Sequence, residues 1–442
     1  MHSSILIGFY SIITLILFDK VYQTSQSIID ELFHINQGLT YCYGFYQEWN
    51  PKITTLPGLY LITIFLPRCS VFTLRMISFV CSIINFYFII EIRSNIEKKK
   101  SDDYDILLNS LSIVLLPPMY FFSLIYYTDI PAITTILSTI YFSMKSQHVL
   151  SSICGFLSVL MRQTNICWVA GILGMNIIDA MIAKVYPNID LKKSSTKHLY
   201  VAIKNHLKKP KMLYELILKI LINFYGYIIV ILCFVLFLIL NGSIVVGDKQ
   251  AHVATIHLPQ LFYFSLFTLV FGTSIWLPNL KKNLIHLRNI KCLLIIFFTM
   301  IIMVVIIQQN TIVHPYLLAD NRHYTFYIWN RFYGRYWFFK YTMIPVYIFG
   351  LYNVYASLSG SIGFKIFYTF SILLTFCLQT LIEVRYFLIP FLILRLFKNN
   401  HEKKWSFMEL IINILINFLT FKIFFSIKIN WPEFQEPQRI IW

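Results

Sequence analysis

Hydrophobic positions in this chain fall in long unbroken runs separated by short polar stretches, and they seldom alternate with polar ones. Such runs predict membrane-spanning helices, because a lipid-embedded backbone must satisfy its own hydrogen bonds. They argue against a β-barrel, whose strands alternate. The runs lie at 5–19, 72–93, 106–127, 131–145, 149–161, 165–183, 214–240, 258–279, 293–308, 341–358, 366–380, 385–397 and 407–426. The expected fold class is an all-α polytopic membrane protein with about 11–14 transmembrane helices. Several runs are shorter than the roughly 20 residues of a perpendicular crossing, so some spans are re-entrant, broken or extended by flanking aromatics. The first run lacks a basic leader and a small-residue cleavage site, and reads as an uncleaved span.

The basic residues orient these runs. Arg93 with Lys98, Lys99 and Lys100 follows the second run, and a cluster from Lys184 to Lys211 follows the sixth. Lys281, Lys282, Arg288 and Lys291 follow the eighth, and Arg395, Lys398, Lys403 and Lys404 the twelfth. All four clusters follow even-numbered runs, which places them together in the cytosol. This requires Thr54–Pro67 to be a lumenal, membrane-lying helix rather than a span. The chain then reads as a single membrane domain over 1–442, with lumenal loops at 20–71 and 309–340 and a basic cytosolic loop at 184–213. No second half echoes the first, so the inverted repeats common in transporters are not expected.

Composition agrees: 57% of residues are hydrophobic, 13% are charged, and mean hydropathy is +0.66. The net charge of +17 would suggest nucleic acid in a soluble protein, but here the cations sit in loops between spans and no nucleic-acid partner is expected. The eight cysteines include no CxxC pair and no histidine pairing at metal spacing. Most read as small apolar packing residues; Cys42 and Cys69 alone could share an oxidising compartment, and their pairing is left open.

The polar residues that remain gather on the lumenal side. They are Asp30-Glu31 after the first run, Tyr126-Tyr127-Thr128-Asp129, Arg162-Gln163-Thr164-Asn165, Gly247-Asp248 with His252 and His257, the segment HPYLLADNRHYTFYIW at 314–329, and Glu383-Val384-Arg385-Tyr386. Each has a structural reading too: Asp129 as a cap before Pro131, Arg162 as a partner for freed carbonyls, Glu383 and Arg385 as an interfacial pair. His252 and His257 read as interface histidines and no metal site is expected. Asp320, Arg322 and His323 sit among aromatics at a membrane boundary and make a poor spacer, which favours function. Arg162, Arg322 and His323 suit an anionic phosphate, and the aromatics suit a lipid chain or the faces of a sugar. Sugar transfer from a lipid phosphate needs one general base and no general acid, because phosphate leaves as a stabilised anion.

The segments DELFHINQGLTYCYG, EWNPKITTLPGLY, FFSLIYYTD, MRQTNICWV, VVGDKQAHVATIHLPQLFYF, HPYLLADNRHYTFYIWNR, LIEVRYFLIPFLILRL and NWPEFQEPQRIIW run in order from residue 30 to 442. Together they resemble the endoplasmic-reticulum α-1,2-glucosyltransferase family that adds the last glucose in lipid-linked oligosaccharide assembly. The resemblance implies the C-type glycosyltransferase fold in the endoplasmic-reticulum membrane, with a lumenal active site. It implies transfer of glucose from dolichyl phosphate glucose to the diglucosylated oligosaccharide on dolichyl diphosphate, with inversion and without a metal or other cofactor. Lipid-linked donor and acceptor and membrane lipids are then the partners; protein partners are unknown. Asp30 matches the catalytic base position, with Glu31 as the fallback, since adjacent residues cannot both aim at one hydroxyl. Asp129 matches a second acidic position, assigned to acceptor orientation; Arg162, Asp320, Arg322, His323, Glu383 and Arg385 complete the substrate-binding set. Asn50 departs from the Asp expected in the family. The rival readings are a transporter or lipid flippase, and a non-catalytic accessory protein on the same scaffold.

Overall fold

The computed structural model describes residues 2–431 and 436–442, except 26, 98–102, 250–254, 287–288, 378, 380 and 399–402. The lysine cluster 98–100, His252 and Arg288 therefore lie outside the described residues. The chain is helical throughout, and in order the helices are α1 (His2–Thr24), α2 (Glu31–Cys42), α3 (Gly58–Thr63), α4 (Val71–Glu97), α5 (Asp103–Val114), α6 (Pro117–Phe122), α7 (Asp129–Met144), α8 (His148–Met161), α9 (Ile166–Val185), α10 (Thr196–Lys208), α11 (Pro210–Asn223) and α12 (Tyr225–Asn241). The second half continues with α13 (Pro259–Phe271), α14 (Thr273–Trp276), α15 (Leu280–His286), α16 (Ile290–Asn310), α17 (Pro315–Ala319), α18 (Tyr324–Ile328), α19 (Phe339–Thr342), α20 (Ile344–Ser357), α21 (Ile362–Cys377), α22 (Leu388–Leu396) and α23 (Lys403–Ser426). Among the described residues, five helices are long and apolar enough to cross a membrane, or up to seven if each bent pair counts as one span.

Several expected spans are broken, each at a local cause. The 106–127 run divides into α5 and α6 because Pro117-Pro118 opens a new helix and holds Leu116 at ψ 119°, outside the helical region. Residues 123–128 are irregular, so the tyrosines at 126 and 127 leave the helix and turn inward. The 214–240 run bends by 73° between α11 and α12, and the 258–279 run bends by 91° after α13, at Gly272. The expected helix over Thr54–Pro67 shrinks to α3, whose Gly58, Leu59, Tyr60 and Thr63 are buried against α2 and α8. The 385–397 run starts as a short 3₁₀ turn before α22, which is apolar apart from Arg395 and wholly buried, as a core helix should be.

The core sits where α4, α7, α8, α9, α21 and α23 pack together. At the end of α4 remote from Asp30, residues counted above as loop charges are buried instead. Arg395 donates to Glu409 Oε1 from Nε at 2.9 Å and Nη2 at 2.6 Å, and Glu409 Oε2 accepts from the Ser274 amide at 2.9 Å. Arg93 caps the carbonyls of Leu396 and Lys398, while Lys398 Nζ donates to Ser274. These charges fasten α4, α22 and α23 to one another, so they act in packing as well as orientation.

Candidate active site

The two adjacent acids after α1 sit in different environments and take different arginines as partners. Glu31, in the first turn of α2, is fully buried, and its carboxylate is gripped in bidentate fashion by Arg75 of α4, at 2.8 and 2.7 Å. Its Oε1 also accepts the Tyr126 amide at 2.7 Å, and its own amide donates to the Tyr127 hydroxyl at 3.0 Å. Asp30 occupies the N-cap position of α2, yet its side chain makes no capping hydrogen bond. Its carboxylate is left 46% exposed, with Arg385 Nη2 3.6 Å away. The preceding residue, Ile29, has φ +51°, a left-handed conformation that a β-branched side chain rarely adopts. Tyr126 packs so closely on α2 that a Cβ at Gly38 would lie 2.9 Å from its ring, which explains a glycine there.

Around Asp30 the separate polar stretches converge. Arg385 pairs with Glu383, and its guanidinium lies over the Tyr127 ring at 5.4 Å. Burial alone would raise the Glu383 carboxyl, but Arg385, aided by His323 and Arg162, holds it at about 2. Arg162 Nη2 stands 2.9 Å from Asp129 Oδ1 and over the Tyr386 ring at 5.5 Å. Asp129 is 1% exposed, and neither of its oxygens has an aligned hydrogen-bond donor among the described residues. Burial pushes its carboxyl up, against the pull of Arg162 and Arg385. His34, one turn along α2 from Asp30, shares a 2.6 Å hydrogen bond with the Tyr60 hydroxyl. Burial, with Arg385 and Arg162 adding to it, lowers His34 to about 3, so it is a neutral wall of the site.

The 314–331 segment forms the far edge. Arg322 grips Asp320 through Nε at 2.8 Å and Nη2 at 2.7 Å, and its face lies 4.2 Å from the Trp431 ring centre. His323 Nε2 is 3.8 Å from Asp320 Oδ2. Burial would raise the Asp320 carboxyl, yet Arg322 and His323 hold it below the usual carboxylate range.

Two further loops buttress the α2–α3 hairpin, which begins at Asp30. The amides of Val246 and Asp248 donate to Thr54 at 3.2 Å and Pro51 at 2.9 Å, and Gln163 Nε2 donates to Thr54 at 2.8 Å. Gly247 is required at that crossing, since a Cβ would come within 2.3 Å of the Ile53 and Pro51 carbonyls. Asn50 Oδ1 accepts the Lys52 amide at 3.0 Å, a local turn that an Asp would make equally well. His257 is engaged by the Ile312 amide at 3.3 Å and serves the scaffold. Cys42 and Cys69 form a disulfide that joins the end of α2 to the start of α4. Thus Asp30, Asp129, Arg162, Glu383 and Arg385 come together, with Asp320, Arg322 and His323 at the rim and Glu31 turned away beneath. Arg75 and His34 were not singled out from the sequence, although a lone arginine inside an apolar run is a signal of a buried partner.

Comparison with known proteins places this geometry in context. The model of the DIE2/ALG10 family matches residues 24–396. A Drosophila melanogaster protein named Dol-P-Glc:Glc(2)Man(9)GlcNAc(2)-PP-Dol alpha-1,2-glucosyltransferase is 39% identical, over 96% of this chain and 96% of its own. Proteins of the same name from Homo sapiens and Arabidopsis thaliana are 32% and 28% identical, each over 94% of this chain and over 93% and 94% of their own lengths. No solved structure matches.

Proposed function

The chain belongs to the DIE2/ALG10 family, and from that membership together with the geometry around Asp30 we infer its reaction. It is a glucosyltransferase that takes glucose from dolichyl phosphate glucose and attaches it in α-1,2 linkage to the diglucosylated oligosaccharide on dolichyl diphosphate. The transport reading falls away with that assignment.

In the proposed mechanism the donor carries β-linked glucose, so an α product requires one displacement with inversion at C1. Asp30 takes the proton of the acceptor 2-hydroxyl as its oxygen attacks C1. The bond from C1 to the phosphate oxygen breaks, and dolichyl phosphate leaves as an anion without needing a proton. One observation carries the assignment of the base. Asp30 is 46% exposed, whereas Glu383 is 15% exposed, Asp129 1% and Glu31 0%. The buried carboxylate of Asp129, ion-paired with Arg162 but without an aligned hydrogen-bond donor among the described residues, suits a sugar hydroxyl of the acceptor, which would supply one. Neither step calls for a metal or cofactor. The test is glucosyl transfer by the purified protein with synthetic donor and acceptor; an inactive protein would favour the accessory-scaffold reading.

Arg322 and His323 are proposed to hold the donor phosphate, with Asp320 and Trp431 fixing the guanidinium in advance. Because Asp320 already offsets that charge, Arg322→Ala should weaken donor affinity by about 10-fold, the lower end for a charge-assisted contact. The acceptor KM should change far less, and Arg322→Lys should recover only part of the loss, because an ammonium cannot keep the two parallel bonds to Asp320 and also present a fixed donor to the phosphate. Intact donor affinity in Arg322→Ala, with a large loss in Arg162→Ala, would move the phosphate to Arg162.

We further propose that the protein resides in the endoplasmic-reticulum membrane with this site on the lumenal face; the disulfide and the basic-loop pattern support that orientation. Cysteine-accessibility mapping should find Lys98–Lys100, the 184–213 loop and Lys403 cytosolic, and Asp30 and Asp320 lumenal. The sole glycosylation sequon, Asn241-Gly242-Ser243, should stay largely unmodified, since Asn241 Nδ2 is tied to the carbonyls of Ser243 and Val245 at 2.7 and 2.8 Å. Asp30 on the cytosolic face would sink the lumenal assignment.

A further inference from the structure

Residues 436–442 run back from beyond α23 and thread between the hairpin that carries Asp30 and the segment that carries Arg322. Gln438 is fully buried, and its Oε1 accepts the amide of Ile29 at 3.0 Å, across 409 positions of sequence. That amide belongs to the residue held at φ +51°, immediately before Asp30. A β-branched residue does not keep a left-handed conformation unless its surroundings over-determine it. Here the Tyr127 hydroxyl donates to the carbonyl of Ile28 at 3.2 Å, and Gln438 fixes the next amide.

Gln438 is itself anchored. Its backbone exchanges two hydrogen bonds with Ile429, at 2.9 and 2.8 Å, and Arg439 Nη1 caps the carbonyls of Phe424, Phe425 and Ile427 at the end of α23. Three residues on, the Ile441 amide donates to the Arg322 carbonyl at 2.8 Å and the Ile441 carbonyl accepts from the Tyr324 amide at 3.1 Å. One short segment thereby sets the turn that aims Asp30 and the loop at the opposite rim.

We propose that Gln438 is a positioning residue for the glucosyl transfer: its side-chain oxygen holds the left-handed turn at Ile29, which presents the Asp30 carboxylate outward instead of letting it cap α2. This rests on the reading of Asp30 as the base. An unclamped Ile29 relaxes to a negative φ, and the carboxylate shifts away from the hydroxyl it deprotonates. A displacement of that kind costs rate rather than affinity.

The test uses the full chain, purified in lipid nanodiscs, with kcat and both KM values measured per monodisperse folded protein. Gln438→Met keeps the length and loses the acceptor oxygen, and Gln438→Asn draws the oxygen back by one carbon. Both should lower kcat, by about 10- to 100-fold for Met, with donor and acceptor KM within about twofold of wild type. Gln438→Glu keeps an oxygen at the Ile29 amide and should recover most of the loss. Wild-type kcat in Gln438→Met would overturn the proposal, as would equal losses in Met and Glu or a loss confined to KM. Asp30→Asn runs in parallel: if it retains turnover, the base assignment fails first, whereas an inactive Asp30→Asn beside a fully active Gln438→Met isolates the failure to the clamp.

Discussion

Asp30→Asn should cut turnover by about 10²- to 10⁴-fold, the usual worth of a general base, while the protein still folds and binds donor. The substitution is close to isosteric. The carboxylate caps nothing, and Arg385, its ion-pair partner at 3.6 Å, keeps Glu383 as its main partner. Little stability is therefore at stake, and the loss should fall on kcat rather than on either KM. The measurement is single-turnover transfer at saturating donor and acceptor, beside a donor-binding assay on the same preparation. Near-wild-type turnover would remove Asp30 from the chemistry.

Glu31→Gln should fail differently, in the amount of folded protein rather than in the rate per molecule. Its carboxylate neutralises Arg75 in a site with no exposure, and it also receives the Tyr126 amide. Removing one partner of a fully buried ion pair strands the other, at a cost of about 3–5 kcal/mol. Arg75→Ala should cost a similar amount for the mirror-image reason. Glu31→Leu combined with Arg75→Met removes both charges, and should be more stable than either single variant because neither charge is left without its partner. Thermal unfolding of the four proteins in one detergent checks this. A Glu31→Gln protein as stable as wild type but inactive would return Glu31 to the role of base.

The contrast between these neighbours shows where the sequence could be read and where it could not. Long apolar runs announce an all-α membrane protein, and the polar stretches between them supplied nearly every residue now seen around Asp30, because charge at a membrane boundary is costly enough to need a purpose. What the runs conceal is pairing. Nothing local to Asp30-Glu31 says which acid faces inward; that depends on Arg75, 44 positions away, and on Tyr126 and Tyr127, which lie beyond the end of α6 at Phe122. The segment 436–442 is harder still, since a hydrogen bond across 409 residues has no periodicity to betray it. Arg93 and Arg395 misled in the other direction: orientation counting treats a cation near a span end as solvated, whereas these are buried among carbonyls and Glu409.

The bridge between Cys42 and Cys69 closes a loop 27 residues long in sequence, between the two helices that carry Glu31 and Arg75. Closing a loop of that length before folding removes about 3.5 kcal/mol of disorder from the unfolded chain. The same order of free energy is at risk when the Glu31–Arg75 pair is broken. A still-reduced chain therefore lacks a cross-link about as strong as the ion pair beneath the turn at Asp30. Closing that bridge is an oxidation, so a strong reductant should loosen the fold from the α2–α4 side without touching Asp30.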